Sequence, residues 1–376
     1  MGAGDFCMYV RQDGTAGIRN LLLVVSVIDL ANDVAMRIAT ALDDSVAVLS
    51  PGGGLSFGKE AALLERLRRR LVCNPNVGGA IFVGPNAALL GAAESDIRAT
   101  GRLSAAISLS EAKDSIDAVQ AGLQAGRSIL AALQAAPRVA LSFAALRIGL
   151  RSSNSSLESA KLVNPVVGML ADEAVRQGGT VCFSELADLA GVAPSLAVRG
   201  ENNEASTALL EAMAEPCRLV SDLAGDAPDP TLTNLQGGID TIEKKGEGAL
   251  RRLGSSRIRG VFAFGDAIPA PGLWMMAGPG SAAVGLTGLA AAGCSLIVYT
   301  VGVTGITAGA PIMPVIKIGP SGLAGSRDVD LHLDDPAGEV MGSLMTLVGE
   351  VASGRRTAGE ALQTRQIMLP GHLPQL

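Results

Sequence analysis

Short apolar runs rich in valine, isoleucine and leucine alternate along this chain with longer segments of helical period. That alternation predicts parallel sheets covered by helices. In the first part of the chain Leu21–Ile28, Val46–Ser50, Ala80–Gly84 and Ala105–Ser110 read as strands, with helices expected at about 30–43, 58–71, 87–99 and 111–135. Ala135, Ala136 and Pro137 break the last of these helices. A second series of strands follows at Val139–Phe143, Thr180–Ser184, Gly260–Phe264, Leu296–Thr300 and Pro314–Ile318, and Gly225–Pro230 reads as a loop within it. The expected fold class is α/β, with two domains of mainly parallel sheet flanked by helices, residues 1–136 and 137–376.

Composition agrees with that architecture. The chain has 376 residues, 48% hydrophobic and 18% charged, with 47 glycines, the profile of an Ala/Gly/Leu-rich α/β enzyme and not of a disordered chain. Acidic and basic residues are interspersed and the net charge is −6, so nothing steers the protein toward nucleic acid or an anionic membrane. Apolar runs such as Leu296–Gly302 fall far short of the roughly 20 residues a spanning helix needs. Cys7, Cys73, Cys182, Cys217 and Cys294 are scattered, and no basic-then-apolar leader opens the chain. A reduced, cytoplasmic protein is expected.

The segment Arg11-Gln-Asp-Gly-Thr-Ala-Gly-Ile-Arg-Asn20 is the first candidate for chemistry. It sets two arginines, Asp13 and Asn20 directly before a buried strand, while Gly14 and Gly17 allow a tight turn or close approach to a ligand. Arg11 and Arg19 can grip a carboxylate or phosphate bidentately, or they can belong to an ordinary turn paired with acidic neighbours. Pro51-Gly-Gly-Gly54 offers amides before a helix but matches neither a dinucleotide fingerprint nor a phosphate loop, since Gly58-Lys59 is followed by Glu60. Gly278-Pro-Gly-Ser281 opens a helix of small residues suited to close packing. Cys182 and Cys294 read as small core residues, Trp274, Met275 and Met276 as packing, and Glu243–Glu247 as an exposed helix face. His332, between Asp330 and Asp334, can complete a cation site but reads more simply as a solvated loop.

Several short motifs together carry a resemblance. Tyr9-Val-Arg-Gln-Asp-Gly14 with Gly17-Ile-Arg-Asn20, Asn74-Pro-Asn-Val-Gly-Gly79, Asn164-Pro165 and Gly237-Gly238 occur in order along the chain. Gly272-Leu273, Met276, Pro279-Gly280, Thr287-Gly288, Gly293, Leu296-Ile297, Thr300, Gly302, Pro314-Val-Ile-Lys-Ile318 and Asp328-Val-Asp330 follow. In this order and spacing the chain resembles the large catalytic region of the altronate and galactarate dehydratases over nearly its whole length. That group includes the large subunit of a sulfolactate sulfo-lyase. Some members carry a small β-rich domain not found here, and if this chain is the larger half of a complete enzyme the resemblance implies a separate small β-rich partner subunit. A homo-oligomer is also expected.

The resemblance implies β-elimination: loss of water, or another leaving group, across C2–C3 of a small hydroxylated carboxylic acid such as a sugar acid, giving a 2-keto acid. Such chemistry needs a carboxylate clamp, a base for the α proton and an acid or metal ion for the departing oxygen. Arg11 and Arg19 suit the clamp, with Asp13, Gly14 and Asn20 beside them. Asp13 would orient Arg11 or bind a hydroxyl. Asn164 would read a hydroxyl or simply begin a helix before proline. Lys317, in apolar surroundings that can lower its pKa, is a candidate base, or else snorkels at the strand edge.

Departures from the family are concentrated at its charged motifs. Where the family carries Glu-Cys-Gly-Gly-Ser-Asp, this chain, aligned through Gly149 and Asn164-Pro165, reads Arg151-Ser-Ser-Asn-Ser-Ser156. Asn74 stands for a histidine, Pro85-Asn-Ala87 for a Gly-Cys-Glu run, and Thr300-Val-Gly-Val-Thr-Gly305 for Thr-Thr-Gly-Arg-Gly-Ser. Each change removes a ligand or charged group, and only His332 and His372 remain as histidines, which argues against carrying over the family's Fe²⁺ or Mn²⁺. An arginine in place of an acid shifts the local charge by about two units and favours an anion. Two readings stay open. In one, a metal-independent lyase uses Arg151 and Ser152 in catalysis, with Ser155 and Thr300 on the substrate. In the other, a catalytically inactive homologue binds a ligand or serves as a partner subunit.

Overall fold

The computed structural model describes residues 6–51, 58–153, 155–224, 235–278, 282–302, 309–323, 326–333, 338–361, 363 and 366–369. From the amino end, β1 (Phe6–Val10) and the short β2 (Ala16–Gly17) form a hairpin ahead of β3 (Leu21–Ser26). Helix α1 (Asn32–Thr40), β4 (Ser45–Leu49), α2 (Gly58–Val72), β5 (Val77–Gly84), α3 (Ala87–Ala99), β6 (Leu103–Ser108) and α4 (Ser115–Ala135) follow in regular alternation. Next come β7 (Val139–Leu141), β8 (Arg147–Ser152), α5 (Asn164–Arg176), β9 (Thr180–Phe183), α6 (Ala193–Ala197), α7 (Asn203–Ala224) and α8 (Ile242–Arg252). The remainder is β10 (Ile258–Phe262), β11 (Gly272–Met276), α9 (Ala282–Ala291), β12 (Leu296–Thr300), β13 (Val315–Pro320), β14 (Leu331–Leu333), α10 (Gly338–Ala352), α11 (Ala358–Ala361) and β15 (Gln366–Met368).

Capping residues set several boundaries. Asp114 accepts from Ile116 and Asp117 amides to start α4, which therefore begins four residues later than the expected 111. Asn86 caps α3 and Thr241 caps α8 in the same way.

Two parallel sheets organise the molecule, one of five strands in the order β15-β4-β3-β5-β6 and one of seven in the order β10-β11-β9-β8-β12-β13-β14. Strand β3 is buried on both faces, which is why it reads as an unbroken apolar run. Leu22 and Val24 pack with α1 and α4, whereas Leu23 and Val25 enter a cluster shared with Ile297, Tyr299 and Val315 of the second sheet. The other face of the seven-stranded sheet is covered by α5, α8 and α10 through Val167, Leu170, Ala249 and Leu347. Strand β15 pairs with β4, so the end of the described chain returns to the first sheet.

Expectation and structure part at several strands. Val139–Leu141 pairs antiparallel with β1 in a three-stranded sheet of its own and does not open the second parallel series. That series begins with β8, whose sequence Arg-Ile-Gly-Leu-Arg-Ser places charges at positions that are usually exposed. Strands β11 and β14 were likewise absent from the expected set, the first because its Trp-Met-Met reads as generic packing and the second because it has three residues. Pro51-Gly-Gly-Gly54, Gly278-Pro-Gly-Ser281 and Gly225–Pro230 fall mostly or wholly outside the described residues. Cys182 and Cys294 are fully buried, and all five cysteines are free thiols.

Candidate active site

Strand β8 comes first in the chain among the seven strands of its sheet yet lies at the centre. The chain proceeds from it to β9, β10 and β11 on one side, and only then lays down β12, β13 and β14 on the other. The strand order therefore reverses between β8 and β12, the point at which open parallel sheets bind ligands beyond the carboxyl ends of their strands. Arg151, Ser152 and Thr300 occupy those ends.

Strand register sorts the side chains by face. Tyr299 is the Cα partner of both Arg151 and Lys317, so Arg151, Tyr299 and Lys317 form one row across β8, β12 and β13. Ser152 and Thr300 are partners in the next row, on the opposite face. All five residues are buried.

Below the second row lies an ionic network. The Ser152 amide and hydroxyl donate to the Glu185 carboxylate at 3.0 and 3.1 Å. Glu185 faces Arg252 Nη1 at 3.0 Å, and the same guanidinium reaches Thr300 Oγ1 and Asp188 Oδ2, each at 3.4 Å. Lys245 closes on Asp188 at 2.8 Å, and Arg252 also lies over the Phe183 ring, 5.3 Å from its centroid. On the other side Arg151 donates to Ser184 Oγ at 3.1 Å and hydrogen-bonds the Tyr299 phenol.

Burial shapes the ionisation of this group. It pushes the Glu185 carboxyl up, with Asp188 adding to the effect while Arg252 and Arg151 oppose it. Burial also acts to raise Asp188, but Lys245 and Arg252 outweigh it and hold that carboxyl below its usual range. The Tyr299 phenol is pushed up to about 12 by burial and by Glu185, so it remains a hydrogen-bond donor at neutral pH. Lys317 is lowered by burial, against the pull of Asp328 and Asp330.

The remaining candidates are placed elsewhere. Arg11 donates to Pro75 O, Asn20 Oδ1 and Arg19 O at 2.7, 2.8 and 3.1 Å, and burial together with Arg102 lowers its pKa to about 10. Arg19 donates to Glu360 through Nε and Nη2, and to the carbonyls of Ile18, Val351 and Arg355. Every N–H of Arg19 therefore has a protein acceptor. Asp13 accepts from Thr15 and from Arg102 at 3.2 Å, Gly14 turns the chain at φ +78°, and Asn20 donates to Leu133 O. These residues fasten the loop to the fold. Asn164 sits beyond a π turn (Ser159–Val163), where it donates to Gly248 O at 2.8 Å across the α5/α8 crossing. Ser155 lies beside Gly237, where a Cβ would overlap the Ser155 carbonyl. Of the His332 grouping, Asp330 is engaged with the Lys317 and Ala358 amides, and Asp334 is outside the described residues.

A divalent cation does not fit the donors at the carboxyl ends of β8 and β12. Among the described residues no three His, Cys, Asp or Glu side chains converge, and the Glu185 carboxylate is faced by two guanidinium groups. A cavity of about 630 Å³ is at the amino ends of β3, β4 and β13. Its charged walls are paired internally, Arg19 with Glu360 and Arg356 with Asp44 at 3.0 Å.

Glu185, Asp188, Arg252 and Tyr299 were not among the expected site residues. Ser184-Glu185 directly follows an apolar strand, and polar residues at that end of a parallel strand are the available signal. Arg252 ends a basic helix turn and has no such signal, because only the packing of α8 brings it beneath β8.

Comparison with known proteins gives the family of the chain. Residues 143–373 match the family described as "D-galactarate/Altronate dehydratase, C-terminal", and residues 8–134 match "D-galactarate dehydratase/Altronate hydrolase, second domain". The chain is 29% identical over 294 residues to (2R)-sulfolactate sulfo-lyase subunit beta of Chromohalobacter salexigens, covering 77% of this chain and 75% of that protein. It is 26% identical over 313 residues to altronate dehydratase of Bacillus subtilis, covering 77% of this chain. Against the Escherichia coli altronate dehydratase it is 26% identical over 311 residues, covering 78% of this chain. The chain spans 61% of the length of each of these two dehydratases. It belongs to the D-galactarate/altronate dehydratase family.

Proposed function

We propose that the protein is a carbon–oxygen lyase that removes water, or another leaving group, from a small hydroxylated carboxylic acid such as a sugar acid. The C2 proton is taken by a base, the C3 substituent departs with its bonding electrons, and the resulting enol becomes a 2-keto acid. What carries the reading is the convergence of Arg151, Ser152, Thr300, Glu185 and Arg252 at the carboxyl ends of β8 and β12. Three cations, Arg151, Arg252 and Lys245, there meet two carboxylates, Glu185 and Asp188, among the described residues. In this reading Arg151 faces the substrate carboxylate and the developing enolate, and Lys317 takes the α proton. Glu185 accepts from Ser152 and Arg252 and so fixes the donors that face the departing oxygen.

The two family matches leave residues 135–142 between them, which supports a division into domains at 136/137. A small β-rich partner subunit and a homo-oligomer belong to the same proposal, the first supported by the subunit name of the sulfo-lyase relative. So does a cytoplasmic location, supported by five free thiols; among the described residues no helix is long and apolar enough to cross a membrane. The test is a thermal-shift screen of metal-free protein against sugar acids and sulfonated hydroxy acids, with and without Mn²⁺ or Fe²⁺, followed by 2-keto acid detection. A ligand at about 100 times its Kd stabilises by roughly 2.7 kcal/mol, well within reach of the screen. Keto acid formed without metal supports the lyase. Binding with no product under any condition replaces it with a non-catalytic ligand-binding or partner subunit.

A further inference from the structure

We propose that Arg19 is a positioning residue for Lys317, acting through the four-residue helix α11 and not by gripping substrate. Only the role of Lys317 as a base rests on the lyase reading. The connection is continuous. Arg19 meets both Glu360 oxygens, at 2.6 and 2.7 Å, and Glu360 Oε2 accepts from the Thr357 amide at 2.8 Å. The Ala358 amide donates to Asp330 Oδ1 at 2.7 Å, while the Lys317 amide donates to Asp330 Oδ2 at 2.9 Å. Asp330 in turn donates its own amide to Lys317 O at 2.9 Å, so α11 is clamped against β13 at the lysine. A Cβ at Gly359 would stand 3.9 Å from Lys317 Cε, which places α11 directly over the lysine stem.

A helix of one turn has no stability of its own, so its position depends on these two anchors. Arg19 is itself fixed at both ends. Its backbone and that of Ile18 donate to Asn76 Oδ1 at 3.2 and 2.8 Å, and its guanidinium holds the Val351 and Arg355 carbonyls. Tyr299 is the register neighbour of Lys317 on β12, and the charged groups acting on the lysine are Asp328 and Asp330 before β14, which favour its charged form. Burial under α11 opposes them and is what keeps the lysine below its ordinary value. Releasing α11 admits water and removes that opposition.

The chain has six lysines, so ¹³Cε-lysine labelling gives six signals, with Lys317 assigned by its loss in Lys317→Met. In Arg19→Gln the Lys317 titration midpoint moves up by about one pH unit while the other signals stay in place. A midpoint that does not move in a folded variant overturns the proposal. If Arg19→Gln fails to fold, Glu360→Gln removes the same link and carries the same expectation. Where turnover is found, kcat falls at nearly constant KM and Arg19→Lys restores part of it; a raised KM with kcat retained marks a substrate clamp and also overturns the proposal. The titration is read without turnover, so the lyase reading can fail and leave this result standing.

Discussion

The Arg151 guanidinium lies against the backbone of Gly285 in α9, in the space a Cβ at that position would fill. Gly285 is thus the counterpart of Arg151: a cation fits at the carboxyl end of β8 because the helix packed over it has no side chain there.

Replacing Gly285 by alanine tests this, because two effects of opposite sign compete. Alanine in a helix interior is favoured over glycine by about 1 kcal/mol. Here the added methyl must displace a guanidinium that is 1% exposed and bonded to Ser184 and Tyr299, an overpacking cost of roughly 1–3 kcal/mol. The expected outcome is a net loss of stability by urea titration, together with weaker anion binding. A gain in stability with unchanged binding would mean that Arg151 has room to move.

Arg252 supports the ionic network from below. Arg252→Met leaves Glu185 and Asp188 buried beside a single remaining near cation on each side, and we expect a loss of about 3–5 kcal/mol. Adding Glu185→Leu to that variant recovers part of the loss, because the uncompensated charge goes with it. A double-mutant cycle by denaturant unfolding separates the two; strict additivity would show that the pair is not coupled.

Asn76 joins the two sheets. Its Oδ1 accepts from the Ile18 and Arg19 amides, and its Nδ2 donates to Ser295 O at 2.8 Å and Ile312 O at 3.1 Å. Asn74 supports it by accepting the Asn76 amide and donating to Ala290 O and Cys294 O. Asn76→Ala strands buried backbone groups on both sides, each costing about 1–3 kcal/mol, so a total of about 3 kcal/mol or more is expected. A loss below 1 kcal/mol would show that water takes over those bonds.

These particulars explain what could be read from the sequence. The parallel α/β architecture was legible because two-sided burial writes an unbroken apolar run, as in Leu21–Ser26. Strand β8 was not, since its Arg147 and Arg151 look like surface positions until Ser184, Tyr299 and Gly285 are known to surround Arg151. The Arg11–Asn20 segment stood out for its charges, but its acceptors, Pro75, Leu133, Val351 and Glu360, lie up to 341 residues away and cannot be seen locally. Lys317 stood out for its apolar neighbours in the sequence, and its side chain is buried. Its neighbours in the row, Tyr299 and Arg151, follow only from strand register.

Lys317 also gives a pH-dependent prediction. Its folded-state pKa is lowered by burial from the ordinary 10.5, so between the lowered value and about 10.5 the unfolded chain binds the proton that the folded chain has released. In that window stability rises with pH. Below it the charged lysine is held in a buried setting at full cost, and above about 10.5 the lysine is neutral in both states and the cost is gone. Lys317→Met removes the cost at every pH. The variant should therefore melt higher than wild type at neutral pH, and the difference should shrink as pH rises toward the ordinary lysine range. Lyase turnover should disappear in the same variant, and Lys317→Arg should not restore it, since a guanidinium stays charged and cannot take the proton. Melting curves from neutral pH to about 10, with keto acid assays in parallel, decide the matter: a stability difference that is flat with pH would mean that Asp328 and Asp330 fully offset the burial of the lysine.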